Sequence, residues 1–201
     1  MKIYINIAII TLVLISACNK PKKETDCGFF KNVYGQRISL GFNVPIILKI
    51  NKSVPSEYHD SIYKAAEKWN TVLGRNLIMI DSNIDYGPIT PRQDGVNIIY
   101  MMSTWEAEKE NEEGRTSLYF SGNLITEADV RLNNKNFDFY IDTPVNAYDI
   151  HLESLLIHEF GHVLGLGHND TPESMMNTYL SPSKERLNIT DVDISNLRCE
   201  Y

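Results

Sequence analysis

The segment His158-Glu-Phe-Gly-His-Val-Leu-Gly-Leu-Gly-His168 constrains this 201-residue chain more than any other feature. His158 and His162 stand at i and i+4, so on a helix both imidazoles project from one face about a turn apart, close enough to hold one ion. A third imidazole cannot join them from the next helical turn in good geometry. The helix must therefore end, and Gly165 is the residue that takes a left-handed conformation at low cost and lets His168 swing back. Three neutral imidazoles with an open fourth position describe a catalytic zinc site, whereas a closed structural site would be four-coordinate and usually Cys-rich. Glu159, beside the first ligand, is placed to act as general base toward a water on that open position. It would return the proton to a leaving amine while the metal polarises the scissile carbonyl. The expected chemistry is peptide-bond hydrolysis without an acyl intermediate. The fixed positions match by chance with odds on the order of one in a million per start site, so a fortuitous pattern is a weak competitor.

Composition bounds the remaining choices. With 43% hydrophobic and 22% charged residues, the chain fits one globular domain of about 180 residues once an N-terminal export segment is set aside. A net charge of -7 speaks against a nucleic-acid partner, because phosphate contacts need clustered Lys and Arg.

Residues 1–17 begin with a cation at Lys2, continue in an apolar run from Ile3 to Ile15, and end in small residues before Cys18. This pattern reads as an export signal. The run falls short of the roughly 20 residues that span a bilayer, which makes a permanent transmembrane helix the weaker reading. Ile15-Ser16-Ala17-Cys18 resembles the lipobox of bacterial lipoproteins. That resemblance implies an exported lipoprotein acylated on Cys18 and anchored to a bacterial membrane, on the periplasmic side or at the cell surface. Secretion with Cys18 idle stays open. Residues 18–35 are polar and Lys-rich and read as a tether, followed by a domain over 36–201. Export would place Cys27 and Cys199 in an oxidising compartment, where a disulfide joining the two ends of the domain competes with two unpaired thiols.

The hydrophobic pattern predicts a strand over Pro45 to Ile50 and a helix from about Ser56 to Leu73, with Gly74 as its stop. Further strands are expected at Leu77 to Ile80, Val96 to Met102, Thr116 to Phe120 and Ile125 to Asn133. Residues 105–115 read as a charged surface loop. A helix is expected from about Asp149, its N-cap, into the histidine segment, and a last one from Thr190, with Asp193 three residues on. Strands followed by helices in this order describe an α+β arrangement.

The HExxHxxGxxH text is the zinc signature of the metzincin metallopeptidases, and HEFGHVLGLGH followed by ESMMNTY looks most like their matrixin branch. The resemblance covers roughly residues 36–201. It implies a zincin-like catalytic domain, α+β, with a twisted, mainly five-stranded sheet, an active-site helix, and a small C-terminal part carrying a methionine turn and a final helix. By position it implies His158, His162 and His168 as ligands, Glu159 as base and Gly165 as the turn. Met176 would be the floor of the site, with Met175 as its competitor. ITEADVRLN resembles the family's edge strand above the cleft, which places Ala128, Asp129 and Val130 where substrate adds as an antiparallel strand. Tyr179 falls where the family forms its S1′ wall. The chain also departs from the pattern. The family's second zinc uses three histidines and an aspartate, and only His59 and His151 remain outside the motif, so no second zinc is expected. Cys27-Gly28 is all that matches the family's zinc-blocking propeptide segment.

These observations together predict a monomeric zinc endopeptidase acting on a peptide or protein substrate and bound to a membrane through its lipid. A catalytically silent peptide-binding or adhesion module on the same fold is the rival. Relatives of this type often bind calcium, but no EF-hand or other calcium pattern stands in this sequence.

Overall fold

β1 (Ile46–Ile50) and β2 (Ile78–Ile80) run parallel, so the chain needs a crossover between them, and α1 (His59–Leu73) provides it. The computed structural model describes residues 27–179 and 181–201. β3 (Asn97–Met102) lies parallel on the other side of β1, and β5 (Leu124–Asn133) lies parallel to β3. β4 (Gly114–Ser121) pairs antiparallel with β5 through a hairpin turn at Gly122. The resulting order is β2-β1-β3-β5-β4, with β4 at an edge. The expected α+β fold with a five-stranded mixed sheet is what forms.

α1 turns Ile62, Ala65, Ala66 and Trp69 into the core at helical spacing and ends at Gly74, whose φ of 62° is left-handed. Trp69 is fully buried, and its indole Nε1 donates to the Ile157 carbonyl at 2.8 Å. That bond ties α1 to α2 (Leu152–Val163), the helix that carries His158, Glu159 and His162. Every residue of α2 except Glu153 is buried, so this helix is a core element and its polar residues are there at a solvation cost.

Several expectations need correction. ITEADVRLN is not the edge strand: β5 sits between β3 and β4, and Ala128, Asp129 and Val130 are each fully buried. The edge belongs to β4, which also absorbs Gly114 and Arg115 from the expected loop. The helix does not start at Asp149. The Asp149 carboxylate accepts the backbone N–H groups of Val145 and Asn146, both at 2.8 Å, and so caps the turn before it. Ile150–His151 then form β7, paired with β6 (Phe139–Tyr140), and α2 begins at Leu152. The tether reading also fails over part of its length. Cys27 and Phe29 are buried, Phe29 bridges antiparallel to Leu166, and the Phe30 N–H donates to the Gly165 carbonyl at 2.9 Å. Residues 1–26, including the export segment and Cys18, lie outside the described residues. Among the described residues no helix is long and apolar enough to cross a membrane.

At the other end, α3 (Asp191–Leu197) starts with the expected capping box of Thr190 and Asp193. Cys27 and Cys199 form a disulfide, with their Cα atoms 6.2 Å apart. This pairing takes Cys27 out of any role as a zinc-blocking thiol.

Candidate metal and active site

The three histidines converge. His162 Nε2 lies 3.1 Å from His158 Nε2 and 3.2 Å from His168 Nε2. His158 Nδ1 lies 2.9 Å from the Met175 carbonyl, and His162 Nδ1 lies 2.7 Å from the Leu166 carbonyl. A carbonyl can only accept, so each Nδ1 carries its ring's proton and each Nε2 presents a bare lone pair. Lone pairs facing each other at this distance repel unless a cation sits among them, so the donor set fits a divalent metal. Burial, with the neighbouring imidazoles adding to it, pushes His158 down to about 3, and burial pushes His162 down to about 4. His168 is lowered for the same reason. All three therefore stay neutral at physiological pH, as metal ligation requires.

The turn to the third ligand works as the sequence predicts. Gly165 has a φ of 94°, and a β-carbon there would lie 2.3 Å from the Ile38 carbonyl oxygen. Gly165→Ala should therefore cost at least about 2 kcal/mol of stability from strain and displacement of the segment around Ile38. His168, three residues on, should lose its aim. Thermal unfolding together with zinc titration checks both effects, and a variant that keeps wild-type midpoint and affinity would contradict this account.

Beneath the ligands both methionines of the turn are engaged. Met176 packs against α2 at Gly161, where a β-carbon would stand 2.2 Å from its sulfur. Met175 is fully buried and orients His158 through its carbonyl. The side-chain floor is thus Met176, and Met175 contributes its backbone. Gly161, which the motif leaves unspecified, is what lets Met176 and Trp69 both reach the helix.

Glu159 is buried beside this triad, and burial raises its carboxyl to about 7. The Thr116 hydroxyl, from the edge strand β4, donates to its Oε2 at 2.7 Å and opposes that rise. Glu159 faces a cavity of about 470 Å³ bounded by residues 111–116, the start of β4 and the residues before it, by Leu155 and the histidines, and by Thr178 and Tyr179. Phe30 closes one side, its ring centroid 5.4 Å from that of His162. Of the expected cleft residues, Tyr179 lines this cavity, whereas Ala128, Asp129 and Val130 do not. Asp129 is instead a core carboxylate. Its Oδ1 accepts the Ile98 N–H at 3.1 Å, and burial raises it to about 7.

Sequence reasoning missed the residues that brace the site from a distance. The Asp193 carboxylate accepts from the Ser174 hydroxyl and, at 2.8 Å, from the Met175 N–H, so α3 holds the methionine turn under His158. Arg186 donates to the Ser174 carbonyl at 3.2 Å and to the Tyr179 carbonyl at 3.0 Å, spanning the segment from the floor to the wall. His151 bonds Ser154 Oγ and the Ile141 carbonyl and stands apart from the triad. Among the described residues, His158, His162 and His168 form the one cluster with metal-ligating geometry.

The comparisons with known proteins agree with this geometry. Two plant enzymes of Arabidopsis thaliana are similar over short stretches. Metalloendoproteinase 2-MMP is 36% identical over 52 residues, which is 26% of this chain and 14% of the relative. Metalloendoproteinase 4-MMP is 33% identical over 60 residues, which is 30% of this chain and 18% of the relative. Metalloendoproteinase 1 of Glycine max is 38% identical over 60 residues, 29% of this chain and 19% of the relative. The chain thus spans less than a fifth of the curated relatives it matches. The matrixin family model matches residues 50–201, a stretch that holds strands β2 to β5 of the sheet, the histidine helix and the methionine turn, and the chain belongs to the matrixin family.

Proposed function

We propose that this chain is a zinc-dependent endopeptidase, exported and held at a bacterial membrane through a lipid on Cys18. The observation that carries the catalytic reading is the convergence of the Nε2 atoms of His158, His162 and His168 beside a buried carboxylate in a cleft open to solvent. His158, His162 and His168 would hold the ion. When bound, zinc supplies Lewis acidity that polarises a peptide carbonyl and makes water acidic enough to lose a proton near neutral pH. Glu159 takes that proton. It would then return the proton to the leaving amine nitrogen. Thr116 fixes one carboxylate oxygen, leaving the other free to face the cleft. The unpaired edge of β4 supplies N–H and C=O groups along which an extended peptide can add as a further strand. The same enzyme-class wording in the names of the plant relatives supports the reading.

Purified protein should contain about one zinc per chain and cleave members of a quenched peptide library. A chelator should abolish cleavage and added zinc should restore it. Protein without zinc would overturn the proposal, and a zinc-loaded protein inert on every peptide would favour the silent binding module. Mass spectrometry of the mature protein from a bacterial membrane tests the anchor: a diacylated or triacylated N-terminal Cys18 is expected, and an unmodified one refutes it.

A further inference from the structure

The cleft holds a carboxylate that the reaction does not use. Glu113 precedes β4 and lines the same cavity as Glu159. It is half-buried, and its carboxylate makes no hydrogen bond or ion pair with any described residue. Burial alone pushes it up to about 7, with no neighbouring cation or donor acting against that rise. The adjacent charges are already committed. Arg115 grips the Glu112 carboxylate through Nε and Nη2, and Thr116 holds Glu159. Arg115 is the sole permanent cation among the residues lining the cavity, so nothing in the cleft wall is left to neutralise Glu113.

A partly desolvated carboxylate without a partner is a cost to the folded chain. A ligand cation brought against it would offset that cost, and the attraction is strengthened by the reduced dielectric of the cleft. An extended peptide added along the free edge of β4 passes the start of that strand, where Glu113 stands. We propose that Glu113 is a specificity-determining residue that pairs with a Lys or Arg side chain of the substrate, close to the scissile bond. The preferred substrates are then basic peptide segments. This inference rests on the endopeptidase reading above.

The test compares peptides that carry Lys, Arg or the uncharged isostere norleucine, scanned through three positions on each side of one cleavable bond. The zinc-loaded wild-type protein should favour Lys over norleucine about tenfold in kcat/KM at one position. In Glu113→Gln that ratio should collapse to near one, and in Glu113→Asp it should be partly retained. The same ratio should be seen in peptide binding to the Glu159→Gln protein, followed by fluorescence anisotropy. Equal rates for Lys and norleucine at every position, or a preference that survives in Glu113→Gln, would overturn the assignment while leaving the endopeptidase reading intact. Failure of the zinc-loaded wild type to cleave any peptide would overturn that reading and this inference with it.

Discussion

Glu159→Gln should lower kcat/KM for peptide hydrolysis by about 10²- to 10⁴-fold, the range that a positioned general base contributes. It should leave the zinc content near that of the wild type. The two expectations separate because the ligands and the base are different side chains, held by different partners. The His158 and His162 imidazoles are oriented by the Met175 and Leu166 carbonyls, not by Glu159. The amide keeps the volume of the carboxylate, and its oxygen can still accept from the Thr116 hydroxyl that now reaches Oε2 at 2.7 Å. What it loses is the ability to hold a proton. Folding should not suffer, because the wild-type carboxylate is 4% exposed and desolvated, and replacing a buried charge by a neutral isostere removes a solvation cost. Kinetics and metal analysis on one preparation check the prediction. Activity within tenfold of wild type would show that another group takes the proton, and loss of zinc would show that Glu159 serves the metal site structurally.

What could be read from the sequence follows the distance over which each feature is determined. The i, i+4 spacing of His158 and His162 and the need for a left-handed residue before His168 are properties of a single helix and its end. They were readable because no other segment has to be placed first. Strand order is a different kind of fact. The edge position expected for β5 rested on the resemblance of ITEADVRLN to a family strand, and no local pattern in the segment decides which strands flank it. In the fold both carboxylates of β5 are buried and accept from backbone: Glu127 from Asp94 and Gly95, and Asp129 through Oδ1 from Ile98, while its Oδ2 is left without a partner. Those donors lie some thirty residues away, beyond any local pattern. The bracing roles of Arg186 and Asp193 were obscure for the same reason, since their partners in the methionine turn, the Ser174 carbonyl for one and the Ser174 hydroxyl and Met175 N–H for the other, lie more than ten residues away. Residues 27–35 misled in the opposite sense. Their polar composition suggested a tether, and two apolar side chains among them, Cys27 and Phe29, were enough to fasten the segment to the body.

That fastening leads to the second large effect. Replacing both Cys27 and Cys199 by serine should lower stability by about 3 to 5 kcal/mol, because the bond closes a loop of 172 residues and removes a corresponding share of chain entropy from the unfolded state. For a domain of this size the thermal midpoint should fall by roughly 10 °C or more. The loss should not be confined to the unfolded chain. Cys27 is followed by a strap whose Gly28 carbonyl accepts the Gly167 N–H at 2.7 Å and whose Phe30 N–H donates to Gly165. The strap therefore backs the turn that aims His168, and Phe30 closes the cleft beside His162. Once the disulfide is gone the strap is held by a few hydrogen bonds and the burial of Phe29, and its local opening becomes far cheaper than global unfolding. Limited proteolysis should then cut near residues 27–35 in the double serine variant before it cuts elsewhere, and zinc affinity should weaken through the loosened third ligand. A double variant with unchanged midpoint, zinc affinity and cleavage pattern would mean that the buried contacts of Phe29 hold the strap unaided and that the disulfide adds little to the folded state.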